Sequence, residues 1–299
     1  MLKFVKKHFV FFLVLAFVLF GLCGYFFFKG KEEESTPKTE ATMLLIEFEE
    51  MGGLENMVNQ MHTRDIPGVL MVSVEFLDEH CEEIKALQDY DIEIAGSAPG
   101  APFWDVGYDE QREIMIKTKE GIEACTGKKM RIFSSKYFAY TEDTIKIAEE
   151  LGIEYVFARG TTQARATIYK PTEYDVKIFS VSNVGSKNWG TGSLCDFSYW
   201  AREGTPADFR IELLNAIEEH PYISPVSHTY LGGNRVDWNE VYLELFDSPD
   251  VKWVSFDDFH TDYDNRDYDD IPVNMEVQYE NVEYTEEECD PNDPDNICQ

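Results

Sequence analysis

From Met43 to Phe256, short runs of apolar and β-branched residues alternate with stretches whose apolar residues recur every three or four positions. That alternation limits the fold more than any other feature of the sequence. MLLIEFEE (43–50) has the unbroken apolar run of a buried strand, and Leu54, Met57, Val58 and Met61 follow at helical spacing. GVLMVSV (68–74) repeats the strand signal before a helical stretch holding Cys81, Ile84 and Leu87. DIEIAGS (91–97) then precedes a longer helix from Asp109 to Ala124. MRIFSS leads to TEDTIKIAEELG, where Thr141 is an N-cap, Thr144 stands in the place of a capping-box partner and Gly152 is a C-terminal stop. IEYVFARG and VKIFSVSN supply further strands, Ala207 to His220 a helix, PYISPVSH a strand, Trp238 to Phe246 a helix and VKWVSF a last strand. About seven strand–helix units result. They predict an α/β fold with a parallel sheet covered by helices, either open and doubly wound or closed into a barrel. In a barrel, functional residues sit where strands end, which singles out Glu49, Glu50, Ser97, Ser134, Asn183 and His228.

The flanks differ from this body. Residues 8–28, HFVFFLVLAFVLFGLCGYFFF, contain no Asp, Glu, Lys or Arg, and a run of about twenty apolar residues suffices to cross a bilayer. With Lys3, Lys6 and Lys7 before it, the segment predicts a signal anchor, a cytoplasmic stub and helix over residues 1–29, with the bulk of the chain extracytoplasmic. A cleaved signal peptide is the competing reading, although the run is long for one and no A-x-A-like site follows. Leu22 is bulky for the residue before a lipidated Cys23. Residues 30–41 read as a polar linker, 42–260 as the barrel and 261–299 as an acidic tail, loosely docked or disordered, in which fourteen acids face the single Arg266. The whole chain has 57 Asp and Glu against 26 Lys and Arg, a formal charge of −31. Such a field repels nucleic acid, which excludes it as a partner. Six cysteines show no zinc-ligand spacing, and Cys289 with Cys298 could close a local disulfide in an oxidising compartment.

With the strand ends identified, several segments can be compared with a known pattern. IEFEEMGG is similar to a first motif T-F-D-D-G, with Glu49 and Glu50 in the two acid places. EIAGSAPGAP is similar to a second motif, E-I-G-N-H-T-x-x-H-P, through Glu93, Ile94, Gly96 and Pro102. IFSSKYFAYTEDT is similar to a third, F-R-P-P-Y-G-x-Y, keeping Tyr137 and Tyr140 but holding Ser134 in the arginine place. PYISPVSHTYLGG is similar to a fifth, with His228 ending a late strand. The chain thereby resembles the polysaccharide deacetylases, the NodB-homology or family 4 carbohydrate esterase group, from about Thr42 to Phe259. The resemblance implies a distorted (β/α)7 barrel that removes acetyl groups from N-acetylated glycans with a divalent metal. It implies Glu49 as catalytic base, Glu50 as metal ligand and His228 as general acid. The two histidine places of the metal triad fall on Ser97 and Ala101, and the fourth motif, an Asp and Trp region, has no counterpart near KIFSVSN.

A catalytic metal needs about three protein ligands and an open water position. Alanine has no lone pair to offer, and a serine hydroxyl replaces imidazole poorly toward zinc. The expectation is therefore a degenerate domain without a bound metal, which binds cell-envelope polysaccharide or glycan, with Trp104, Tyr137 and Tyr140, and also Trp189 and Trp200, as candidate sugar-stacking residues. One alternative is a working hydrolase of carbon–nitrogen (non-peptide) bonds with a rebuilt centre of Glu49, Glu50 and His228 and a divalent metal such as zinc, in which His80 and Glu83 could add a ligand. The other is a structural envelope component with a filled barrel mouth, engaging cations or a basic partner.

Overall fold

A computed structural model of the protein describes residues 37–48, 50–160, 164–184, 192–259 and 263–273. The membrane-anchor segment, Glu49, Trp189 and the cysteines at 289 and 298 lie outside the described residues. No helix among the described residues is long and apolar enough to cross a membrane.

The strands are β1 Thr39–Ala41, β2 Met43–Glu47, β3 Gly68–Val72, β4 Ile92–Ala98, β5 Ile132–Ser135, β6 Tyr155–Ala158, β7 Thr167–Pro171, β8 Lys177–Ser180, β9 Tyr222–Ile223, β10 Val226–His228, β11 Val251–Trp253 and β12 Asp264–Arg266. One sheet runs β10-β2-β3-β4-β5-β6-β8-β7-β12, and a smaller one β11-β1-β9. In the larger sheet every ladder from β10 to β8 is parallel, and β7 is antiparallel to β8. The two ends of the parallel run are stitched together by the segment after β8. Val184 N donates to Gly192 O, Leu194 N to Ser182 O and Val226 N to Leu194 O, at 2.7, 2.9 and 2.9 Å. The sheet thus curls on itself, with Cys195 bridged to Val226 of β10.

The helices are α1 Met51–His62, α2 Val74–Ala86, α3 Tyr108–Thr126, α4 Glu142–Leu151, α5 Asp196–Trp200, α6 Pro206–Glu219, α7 Thr229–Gly232 and α8 Val236–Phe246. Three of the helix starts have a local cause in a capping side chain. Ser73 accepts the N–H of Phe76 to start α2, and Thr141 with Thr144 and Thr205 with Asp208 form capping boxes for α4 and α6. Gly152 ends α4 at φ 67°, a left-handed angle that costs glycine little. The buried face of α1 is Leu54, Met57, Val58 and Met61, as its period demands. Burying each such side chain contributes about 1.5–3 kcal/mol. The close approach of α1 to α7 requires Gly53, where a Cβ would run into the Thr229 carbonyl.

Three short strands escaped the periodicity. Thr39–Ala41 forms β1 rather than the end of a linker, because its backbone pairs between β9 and β11 and Thr39 and Ala41 are buried. Beyond residue 260, β12 pairs with β7, and Tyr268 packs edge-on against Tyr140 and Tyr174, so the start of the acidic tail belongs to the folded body. β7 lies between the two expected strands IEYVFARG and VKIFSVSN. PYISPVSH is two strands in different sheets, broken at Ser224–Pro225, where proline has no N–H for a ladder. A disulfide joins Cys81 of α2 to Cys125 of α3.

At the N-terminal end of the strands Arg131 gathers Glu93, Glu154 and Asp257, with nearest N–O distances of 3.4, 3.1 and 2.6 Å. This cluster lies at the end of the barrel opposite the cavity described next, where Glu93, Arg131 and Asp257 line a second pocket.

Candidate functional site

The C-terminal ends of the parallel strands surround a cavity of about 390 Å³. Register decides which side chains share it. Ser97 of β4 stands beside Ser134 of β5, and His228 of β10 beside Ile46 of β2; all four line the cavity. The Ser134 hydroxyl donates to Ser97 Oγ at 3.3 Å. The wall continues through Phe48 after β2, residues 135–138 after β5, Arg159 after β6, and Phe197, Ser198 and Arg202 on and after α5. Functional residues of α/β barrels sit at this end, because only the loops there vary without disturbing the packed strands.

The loop after β5 is shaped by two consecutive left-handed residues, Tyr137 at φ 60° and Phe138 at φ 55°. Such angles are uncommon outside glycine, and their clustering at a cavity rim marks a loop held by its surroundings. Two hydrogen bonds hold it: Ser135 Oγ to Ala139 O at 2.5 Å, and Arg159 N to Phe138 O at 3.0 Å. Phe138 is buried, and Tyr137 is 36% exposed on the rim with the Lys136 ammonium 5.3 Å from its ring.

His228 is anchored from behind by Asp196, which is fully buried. Asp196 Oδ1 accepts the main-chain N–H groups of Phe197 at 2.6 Å and His228 at 2.9 Å, and Oδ2 accepts the Ser227 hydroxyl at 2.8 Å. The Cys195 thiol lies 3.3 Å from Asp196 Oδ1 and 3.2 Å from His228 Nδ1. Burial and the neighbouring carboxylate push the Cys195 thiol well above its ordinary pKa, so it is a neutral donor rather than a nucleophile. With Nδ1 turned to this buried pair, Nε2 is the nitrogen left for the cavity, and the thiol proton bears on which tautomer His228 adopts. Phe197 lies tilted against the ring at 4.7 Å, and Tyr230 meets it edge-on at 6.1 Å.

Among the expected site residues, His228, Ser97 and Tyr137 line the cavity. Glu49 lies outside the described residues. Glu50 does not line the cavity: it is exposed at the N-cap of α1, where its carboxylate accepts from the Asn234 amide. The buried acid of IEFEE is instead Glu47, whose Oε1 accepts the N–H groups of Phe48 and Glu50 at 2.8 and 3.0 Å and whose Oε2 accepts from Thr229. It fastens the turn from β2 into α1 onto α7. Ala101 is exposed on the loop after β4, outside the cavity. Tyr140 is corrected from sugar-stacking residue to core: it is 2% exposed, packed edge-on to Tyr268. Trp104 and Trp200 likewise pack partly buried against the main apolar cluster rather than into the cavity. His80 and Glu83 sit on α2, away from the cavity lining, with the His80 ring against Phe76. Sequence reasoning missed Cys195 and Asp196. Asp196 and Trp200 share one short helix in CDFSYW, beyond KIFSVSN.

The family metal does not fit these residues. Of its expected ligand places, only Ser97 faces the cavity, and its hydroxyl is engaged by Ser134. Among the described residues, one other set of donors, Cys195, Asp196 and His228, brings three ligand atoms within 4.8 Å of one another. A thiolate, carboxylate and imidazole would suit zinc by type. Here, however, the carboxylate oxygens already accept three protein hydrogen bonds. The trio as found is a hydrogen-bonded support for His228.

No protein-family model matches the sequence, and no curated protein is significantly similar to it. Solved structures are. One from Mycobacterium smegmatis, assigned to the polysaccharide deacetylases, superimposes with a TM-score of 0.59 at 16% identity, over 75% of this chain and 89% of its own. The chain has the polysaccharide deacetylase fold. A polysaccharide deacetylase-type structure from Pseudomonas aeruginosa PAO1 agrees at a TM-score of 0.58 and 12% identity, covering 74% of this chain and 89% of that one. The Puue allantoinase structure has the same TM-score at 13% identity, covering 76% and 90%. The resemblance carried by the order of the segments thus holds as a likeness of fold.

Proposed function

We propose that this deacetylase-fold protein is anchored at its N-terminus in a membrane and binds a cell-envelope glycan on the extracytoplasmic side without the metal-dependent hydrolysis of the family. The observation that carries the reading is the make-up of the cavity. It is open, walled by Phe48, Tyr137, Phe197 and Tyr230 and by serine hydroxyls, and the family's metal-ligand places do not converge in it. Apolar ring faces with a few convergent polar groups suit a sugar, whose C–H face stacks on aromatics. An open mouth also speaks against a purely structural part with a filled barrel. The Cys81–Cys125 disulfide supports an oxidising compartment, as expected outside the cytoplasm.

One observation favours a second reading. His228, held in place by Asp196 and facing the cavity, is arranged as a general acid or base would be, which suits a hydrolase of non-peptide carbon–nitrogen bonds. Both readings are tested by measuring, on the purified full-length chain, metal content, binding of N-acetylchitohexaose and acetate release from it. Binding with neither stoichiometric metal nor acetate supports the first reading. Acetate release that survives EDTA and disappears in His228→Ala favours the second. Stoichiometric zinc accompanied by EDTA-sensitive turnover overturns the first reading and makes the hydrolase of the second a metal-dependent one.

A further inference from the structure

We propose that the ligand of this cavity is an acidic glycan, a sugar carrying a carboxylate, sulfate or phosphate group. The inference rests on the glycan-binding reading and deepens it. Lys136, Arg159 and Arg202 all line the cavity, and among its described lining residues there is no Asp or Glu. This stands out in a chain with 57 acidic and 26 basic residues and a formal charge of −31. The three cations come from separate parts of the fold: the turn after β5, the end of β6 and the residues following α5. No single helix stripe or local basic run brings them together; closure of the barrel does.

Two described carboxylates near the wall are engaged elsewhere. Asp196 points its oxygens at the N–H groups of Phe197 and His228 and at Ser227, and Glu47 is turned toward Phe48, Glu50 and Thr229. Neither lines the cavity. Arg159 is only 4% exposed and forms part of the cavity wall. Arg202 is held by its Nη1 donating to Ser198 O at 2.5 Å, which orients the planar fork before a ligand arrives. At about 390 Å³ the cavity takes a small ligand portion such as one or two sugar rings, not a long polymer. The aromatic wall meets the ring and the cations meet the acid group. An outer surface rich in carboxylates repels anions elsewhere, so that the mouth is where an acidic sugar is drawn.

The test is calorimetric binding of the full-length chain to trigalacturonate, a sulfated heparin-derived tetrasaccharide, neutral N-acetylchitotriose and inorganic phosphate. At least one acidic oligosaccharide is expected to bind about tenfold or more tighter than the neutral one, and to weaken as salt is raised. Arg202→Gln and Lys136→Gln, both at sites less buried than Arg159, should each weaken that acidic ligand about tenfold and the neutral one clearly less. Lys146→Gln on the outer face of α4 should change neither. Which acidic probe prevails distinguishes carboxylate from sulfate recognition. Equal affinity for neutral and acidic oligosaccharides, or acidic binding indifferent to Arg202→Gln and Lys136→Gln, overturns this inference and leaves the glycan-binding reading standing. Phosphate alone matching the acidic sugars overturns it too, as does the failure of every oligosaccharide to bind, which removes both.

Discussion

Replacing Asp196 separates a hydrogen-bonded support from a cation site, and the structure sets the size of the effect. Asp196→Ala deletes the acceptor of two main-chain N–H groups and of the Ser227 hydroxyl, all in a fully buried position. Each buried donor left without a partner costs about 1–3 kcal/mol, while relief of a desolvated charge acts in the other direction. The expected net loss is about 3–5 kcal/mol, a large part of the stability of a typical domain. Asp196→Asn retains one oxygen for the two N–H groups, and the Ser227 hydroxyl can rotate to accept from the new amide, so about 1–2 kcal/mol is expected. Urea unfolding of the full-length chain, followed by tryptophan fluorescence, reads both as midpoint shifts at constant slope. EDTA should leave the wild-type midpoint where it is, because the Asp196 oxygens are held by protein donors. A chelator-induced drop as large as that of Asp196→Ala would assign the trio to a metal, and an alanine variant within about 1 kcal/mol of wild type would refute the support role altogether.

Two further outcomes are expected. The Cys81–Cys125 bond spans a sequence separation of 44 residues, for which loop-closure entropy gives about 4 kcal/mol; the Cys81→Ser, Cys125→Ser double variant should lose roughly that much in urea unfolding, and an unchanged midpoint would show the bond to be dispensable. The Arg131 hydrogen bonds hold the Asp257 carboxyl below its ordinary value. A depressed acid contributes stability that is present above its unfolded value and lost as pH falls through the folded one, so the loss should develop below about pH 4. Asp257→Asn should make the acid limb of a stability–pH curve shallower, and an identical limb would count against the pairing. Glu93 in the same cluster is pushed up by burial and has the opposite sign, its contribution present at low pH and lost on the rise.

Much of the architecture could be read without coordinates. The helix start at Thr141, the stop at Gly152 and the buried stripe of α1 depend on residues within a turn or two of one another. The long apolar runs of β2, β3 and β4 declare themselves in the same way, since a strand buried on both faces needs few polar residues. β1 and β12 carry no such signature: three residues each, they are strands because of what lies beside them.

The site was legible only in part. His228 and Ser97 could be placed because each ends a strand, and strand ends converge in any barrel. Glu50 and Tyr140 could not, because which way a residue just past a strand end turns is set by the partners it finds, here Asn234 for one and Tyr268 for the other. The sequence by itself determined the alternation of strand and helix, the overall negative charge and the loss of imidazoles at positions 97 and 101. Only the tertiary structure decided that Asp196 stands behind His228, and that Lys136, Arg159 and Arg202 meet in one cavity. Helical period and capping are short-range and can be read along the chain. Encounters between residues far apart in sequence exist only once the sheet has curled and the segment 192–195 has joined its two ends.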